Sequence, residues 1–292
     1  MMRADWKSFG VCAALLAACG GTRATGQGCQ ILQRTAPLPA GLEEASGVAA
    51  SRSWPGVFWT HNDSGGDPVV IGVRSSGARV ASVKVAGAKN RDWEDVAVGP
   101  CSSGSCLYIA DTGDNDERRD DAALYRAPEP REGATSVTAQ RFPVHFPDGA
   151  RDAEALFVLP TGQPFLVTKG RHSAVELYRY PLPLRAGQTV TLERVAVIDA
   201  DGRKGMELVT SASASPSGKW IVIRTYKSLA FHHTDALLRG DTRPARVVDL
   251  TPVGEPQGEG VALLDDGRVL LTSEGGFEDY PGSISILKCP LE

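Results

Sequence analysis

The chain has 292 residues, 42% of them hydrophobic and 23% charged, with a net formal charge of −4. That is ample apolar material for a core of one or two domains. The mildly acidic balance, with no lysine or arginine run beyond a few residues, gives no footing for a nucleic-acid partner.

The N-terminus reads as a targeting segment. Arg3 and Lys7 precede an apolar run of ten residues, Phe9 to Ala18. A bilayer-spanning helix needs about 20 residues, so this run is too short to be one. Leu16-Ala17-Ala18-Cys19 looks like the bacterial lipobox, which predicts a signal peptide over 1–18, a lipidated Cys19 and a flexible tether over 19–28. The alternative is a plain secretory signal cleaved nearby. Either way the mature chain, with a net charge of −5, leaves the cytoplasm. The expected location is the bacterial cell envelope, on the outer-membrane side if the cell is Gram-negative. Membrane contact would then be through the lipid anchor only, and the protein is expected to be a monomer.

Of six cysteines, Cys12 leaves with the leader and Cys19 takes the lipid. The remaining four suit disulfides in an oxidising compartment. Cys101 and Cys106 would clip one turn, and Cys29 and Cys289 then pair at the two ends of a domain spanning 29–292. No third or fourth ligand stands near Cys101 and Cys106 at zinc spacing.

Between those ends a unit repeats. Glu44, Glu94, Glu154, Glu207 and Glu259 each open a run of small and apolar residues, at intervals of 50, 60, 53 and 52 residues. A turn and a β-branched or aromatic strand follow each: Val57–Thr60, Leu107–Ala110, Phe165–Thr168, Trp220–Ile223 and Val269–Thr272. Outer strands are predicted at Val69–Val73, Val80–Val85, Leu124–Ala127, Thr138–Phe146, Glu176–Tyr180, Thr189–Ile198, Ala230–His233 and Arg246–Leu250. Turns such as Ser75-Ser-Gly, Pro216-Ser-Gly and Asp265-Asp-Gly separate strands, and no stretch has sustained helical periodicity. The fold class is therefore all-β: a single propeller of five blades, or six if the 60-residue unit divides. The last unit has three strands, ending at Ser283–Lys288. Its fourth comes from the N-terminal strand, Cys29–Arg34, closing the ring.

Several motifs resemble a group of bacterial secreted or lipoprotein β-propellers described as phytase-like, or as having "esterase-like activity of phytase". They are Thr60-His-Asn-Asp-Ser-Gly65, Asp92-Trp-Glu-Asp-Val-Ala97, Tyr108-Ile-Ala-Asp-Thr-Gly-Asp-Asn115, Asp152-Ala-Glu-Ala-Leu156, Gln257-Gly-Glu-Gly-Val261 and Thr272-Ser-Glu-Gly275. The likeness covers residues 41–287. It implies a propeller and points towards calcium and hydrolysis; a fold likeness does not assign chemistry.

In an antiparallel blade, the start of strand one and the end of strand two share one end of the sheet. The repeated glutamates and the polar clusters after strand two should therefore meet at one mouth. Glu44, Asp63, Asp111, Asp114, Asn115 and Glu259 are the expected ligands of a hard cation, calcium. Glu94 and Glu154 are candidate general bases, with Lys169 and Arg224 placed to stabilise developing negative charge. His61, Asn62, Arg171, Lys227 and Glu274 are expected to bind a small anionic ligand. Units 3 and 4 would make the mouth basic on one side, with His172 and Tyr226 among their polar residues.

Two roles compete for the acidic ring. Like charges converging are unfavourable unless bonded, paired or neutralised, and the alternative role is for each glutamate to accept backbone N–H bonds from the next blade. The segment Gly205-Met206-Glu207-Leu208 departs from the repeat, and His232 and His233 are expected at a surface or strand edge. The EF-hand pattern, a Gly-x-Ser-x-Gly elbow, a P-loop and a dinucleotide fingerprint are all absent. The functional expectation is a metal-dependent hydrolase of a phosphoester, ester or lactone. The alternative is a non-catalytic propeller scaffold that binds a ligand or an envelope protein.

Overall fold

The computed structural model describes residues 28–102, 104–275 and 281–291. The leader, Cys19 and the tether as far as residue 27 lie outside the described residues. Strand β1 (Gln30–Pro37) comes first. Blade 1 follows with β2 (Ala45–Ala50), β3 (Phe58–Asn62), β4 (Val69–Val73) and β5 (Arg79–Ala86). Blade 2 has β6 (Trp93–Cys101), β7 (Gly104–Asp111) and β8 (Ala123–Pro128), then β9 (Ser136–Thr138) and β10 (Gln140–His145). Blade 3 has β11 (Ala153–Val158), β12 (Pro164–Thr168) and β13 (Val175–Arg179), then β14 (Val190–Thr191) and β15 (Glu193–Asp199). Blade 4 has β16 (Val209–Ala214), β17 (Trp220–Thr225), β18 (Ser228–His233) and β19 (Arg246–Asp249). Blade 5 has β20 (Gln257–Leu263), β21 (Arg268–Glu274) and β22 (Ser283–Lys288).

Five sheets result, and β1 pairs antiparallel with β22 as the fourth strand of blade 5. Disulfide Cys29–Cys289 joins those two closing strands, and Cys101–Cys106 spans the β6–β7 turn. The five-bladed ring and its closure agree with the sequence reading. Two of the outer strands it predicted are each split. Short β9 and β14 turn away from β10 and β15 and add in parallel to the outer edges of blades 1 and 2. A five-residue helix α1, Thr234–Leu238, precedes β19; it is too short to leave a periodic signal.

Alternation along each strand sends one set of side chains to each neighbouring blade. Five apolar clusters follow, one in each gap between blades. Trp59, Trp93, Ile109 and Tyr125 join blades 1 and 2. Tyr108, Phe142, Leu156 and Tyr178 join blades 2 and 3. Phe157, Phe165, Ile221 and Ile223 join blades 3 and 4. Phe231, Leu229, Val269 and Leu287 join blades 4 and 5. Phe58, Ile71, Leu270 and Ile284 complete the circle. Buried side chains of this size each contribute roughly 1.5–3 kcal/mol, so the ring is held by packing all the way round.

The innermost strands β2, β6, β11, β16 and β20 run from the acidic mouth towards the opposite face. Each slips register against strand two at the same place: after Ala45, Trp93, Ala153, Val209 and Gly258. A bulge bends the strand and re-aims the side chain beside it. The equivalent residues at that step are Ser46, Glu94, Glu154, Thr210 and Glu259. The even five-glutamate ring read from the sequence is thereby corrected. Glu44 precedes β2 by one residue and is exposed at the rim, while Glu207 lies on an exposed 3-10 turn before β16.

Candidate metal and ligand site at the propeller mouth

Ser46, Asp63, Glu94, Asn115, Glu154, Lys169, Arg171, Tyr226, Gln257, Glu259 and Glu274 line a cleft of about 280 Å³ at the mouth. Of the residues expected there, the structure gathers Asp63, Glu94, Asn115, Glu154, Lys169, Arg171, Glu259 and Glu274. Glu94, Glu154 and Glu259 are buried. Each sits at the bulge of its innermost strand, which re-aims its side chain. Asp92 and Asp152 stand just ahead of β6 and β11, two residues before Glu94 and Glu154.

Carboxylate oxygens of Asp63, Asp92 and Glu94 lie within 4.8 Å of one another, as do those of Glu94, Asp152 and Glu154. Glu94 belongs to both groups. Asp152 is 1% exposed: its Oδ1 accepts the Asp114 N–H at 2.9 Å, whereas Oδ2 has no hydrogen-bond partner. Lys169 Nζ bonds Glu154 Oε1 and stands 3.9 Å from that Oδ2. One wall of the cluster is backbone. A Cβ at Gly113 would stand 1.9 Å from Glu94 Oε1 and 2.6 Å from Asp92 Oδ2, so no other residue leaves the carboxylates room.

Crowding and burial raise these acids. Glu94 is pushed well above the carboxylate range by burial and by Glu154 and Asp63. Burial lifts Glu154 to about 8 even though Lys169 opposes it. Asp63 rises to about 6 through burial and the charge of Asp92, and Glu274 to about 7 through burial and Asp63. Glu259 is raised well above its usual value by burial and Glu274. Gln257 Nε2 bridges the last two, donating to Glu259 Oε1 at 3.0 Å and Glu274 Oε2 at 2.7 Å. For Lys169, burial favours the neutral amine, but Glu154, Asp152 and Glu94 outweigh it and keep the ammonium charged.

Other residues expected at the mouth lie elsewhere. Arg224 is fully buried beneath the cleft, where it donates to Gly260 O at 2.6 Å, Thr272 O at 3.1 Å and Glu255 Oε2 at 2.6 Å. Its length carries it across to blade 5 instead of up to the opening. Lys227 is half-exposed and paired with Glu207. His61 is buried against the edge of Trp93, with Nδ1 donating to Asn62 O at 2.9 Å; burial lowers its pKa to about 4. Asn62 Nδ2 donates to Gly41 O. Asp111 pairs with Arg119 at 3.0 Å and holds the Asp92 N–H, while Asp114 accepts the Arg119 N–H. Those two aspartates fold the 111–121 loop that presents Gly113 and orients Asp92 and Asp152.

Blade-to-blade bonding at this level is carried by hydroxyls. Ser46 Oγ donates to Glu94 O, Thr210 Oγ1 to Glu259 O and Thr272 Oγ1 to Ser46 O. Asp92, Asp152 and Gln257 were missed as site residues. Their signal was present as a repeated pair, Asp-x-Glu at 92–94 and 152–154 and Gln-x-Glu at 257–259.

No family model matches the chain, and no curated protein matches it. Among solved structures it is similar to the PQQ-bound aldose sugar dehydrogenase of Streptomyces coelicolor, with TM-score 0.51 and 10% identity over 89% of this chain and 97% of that one. It is also similar to a gluconolactonase from Xanthomonas campestris, with TM-score 0.47 and 13% identity over 90% of each chain. A third is regucalcin, a calcium-binding protein from Agrobacterium tumefaciens, with TM-score 0.46 and 15% identity over 90% of this chain and 97% of that one. The first likeness bears on the β-propeller fold alone; at their lower scores the other two carry no argument.

Proposed function

We propose that the mouth holds a divalent cation, calcium, and that the protein is a metal-dependent hydrolase of a small anionic lactone, ester or phosphoester. The observation that carries this reading is the free Oδ2 of Asp152. It is a buried carboxylate oxygen that accepts no hydrogen bond, 3.9 Å from Lys169 Nζ, on a residue of the Glu94, Asp152 and Glu154 triad. Lys169 is one positive charge among Asp63, Asp92, Glu94, Asp152 and Glu154, and a hard cation with oxygen ligands supplies the balance. The sequence likeness to phytase-like propellers supports the same direction.

When bound, the cation would polarise the scissile group and acidify a water. The chain's own groups do the rest. Asp92, Glu94, Asp152 and Glu154 hold the ion. Glu259, outside both triads, takes the proton from the attacking water. Lys169 faces the negative charge that develops on the substrate oxygen, and Arg171, exposed at the rim, draws in the anionic ligand. The protein acts from the cell envelope, exported by the leader and anchored through lipid on Cys19.

Calorimetry with calcium on chelator-stripped protein tests the reading, followed by turnover of lactone, carboxyl-ester and phosphoester substrates. The expected result is one saturable calcium site that Asp152→Asn weakens, with hydrolysis abolished by chelator. An undetectable calcium heat, or turnover indifferent to chelator, overturns it. Calcium binding without turnover of any of the three would favour the scaffold role.

A further inference from the structure

A second concave site lies away from the mouth, in the gap between blades 3 and 4. The crevice measures about 580 Å³ and is bounded by the end of β15, the 202–207 loop, β18 and β19. Along β18 the side chains divide by alternation. Leu229 and Phe231 enter the core shared with blade 5, whereas Ser228, Ala230 and His232 line the crevice. Two small residues hollow this wall and His232 forms its floor. The imidazole is 2% exposed, and its Nδ1 has no hydrogen-bond partner. A buried polar group left unpaired is unfavourable, and a ligand group meeting it would recover that loss.

The charge of the lining is one-sided once its ion pairs are set aside. Asp199 is paired with Arg203 at 3.4 Å and Glu207 with Lys227. Lys204, exposed on the same wall, has no ion-pair partner among the described residues. Burial and the Arg203 charge lower His232 to about 4, so the ring is neutral at pH 7 and can present an N–H without carrying charge into the floor. The lining also carries an apolar side chain open to solvent, Val247, which is 60% exposed.

We infer that this crevice binds a small organic carboxylate with a short aliphatic body. The carboxylate lies between the Lys204 ammonium and the His232 ring, and the aliphatic part covers Val247 and Pro244. A single charge-assisted contact, one recovered hydrogen bond and modest apolar burial correspond to a Kd on the order of 1 mM. The site is independent of the cation at the mouth.

Histidine ring resonances of the purified protein, followed by NMR during titration with sodium hexanoate, test this; His232→Gln identifies the signal. The expected result is a saturable shift of the His232 resonance that hexanol does not reproduce. Lys204→Met, a change at an exposed position, should weaken the titration about tenfold while leaving the spectrum otherwise intact. A His232 resonance that does not move, that moves equally with hexanol, or that titrates unchanged in Lys204→Met overturns the inference.

Discussion

Asp95 Oδ2 accepts hydrogen bonds from the Ser211 hydroxyl at 2.9 Å and the Ala212 N–H at 3.2 Å, reaching from blade 2 across the axis to blade 4. The same oxygen accepts the Leu156 N–H of blade 3 at 2.9 Å, and Oδ1 accepts the Val96 N–H. One fully buried side chain therefore ties three blades immediately beneath the acidic cleft. Gly47 makes room for it, since a Cβ there would stand 2.5 Å from Asp95 Oδ1. The bracket also sets the distance between Glu94, its chain neighbour, and Glu154, two residues before Leu156.

Replacing Asp95 with Asn puts an amide NH2 among converging donors. Loss of such a network should destabilise the protein by about 3 kcal/mol or more. Urea unfolding reads this directly, and Asp95→Asn should weaken calcium binding as well. An unchanged midpoint would show that the bracket contributes little.

Stability of the calcium-free protein should fall as pH rises from about 4 to about 8. Asp63, Glu274, Glu154 and Asp95 have folded-state pKa values of about 6, 7, 8 and 8, all above their unfolded values. In that window the folded state binds more protons than the unfolded one, so the slope of stability against pH is negative. Saturating calcium should flatten it, because a bound cation favours the ionised carboxylates of the cluster. Thermal melts across pH, with and without calcium, check both statements.

Gly113→Ala should abolish calcium binding with modest loss of stability. Its methyl group would displace Glu94 Oε1, 1.9 Å from the ideal Cβ. Calorimetry beside a melting curve separates loss of the site from loss of the fold.

Arg224→Met leaves Glu255 buried without its partner and removes two donors to backbone carbonyls. Breaking a buried pair on one side costs about 3–5 kcal/mol. The variant should therefore unfold at markedly lower urea concentration. Restoring wild-type stability by also changing Glu255→Gln would identify the unpaired charge as the cause.

Opening the Cys29–Cys289 bridge should cost roughly 5 kcal/mol on the chain-entropy model, since it closes a loop of 260 residues. Cys29→Ser with Cys289→Ser, compared with wild type in chemical denaturation, measures the loss. The Cys101–Cys106 bridge spans 5 residues and should matter far less.

The blade count, the borrowed strand β1 and both disulfides were readable in the sequence because they depend on local signals: strand alternation, turn residues and cysteine parity. What each glutamate does was not readable. Register across a hairpin decides which residue faces the axis, and in blade 1 it places Ser46, two residues after Glu44, at the position that Glu94 and Glu154 hold in blades 2 and 3. Strand ends add a second ambiguity: Lys169 follows β12 and lines the cleft, as Tyr226 does after β17, whereas Arg224 lies within β17 opposite Ser211 and is buried below it. Tertiary packing alone decided that Asp92 and Asp152 join Glu94 and Glu154 and that Asp95 spans the axis. These relationships connect residues tens to hundreds of positions apart, and only closure of the ring creates them.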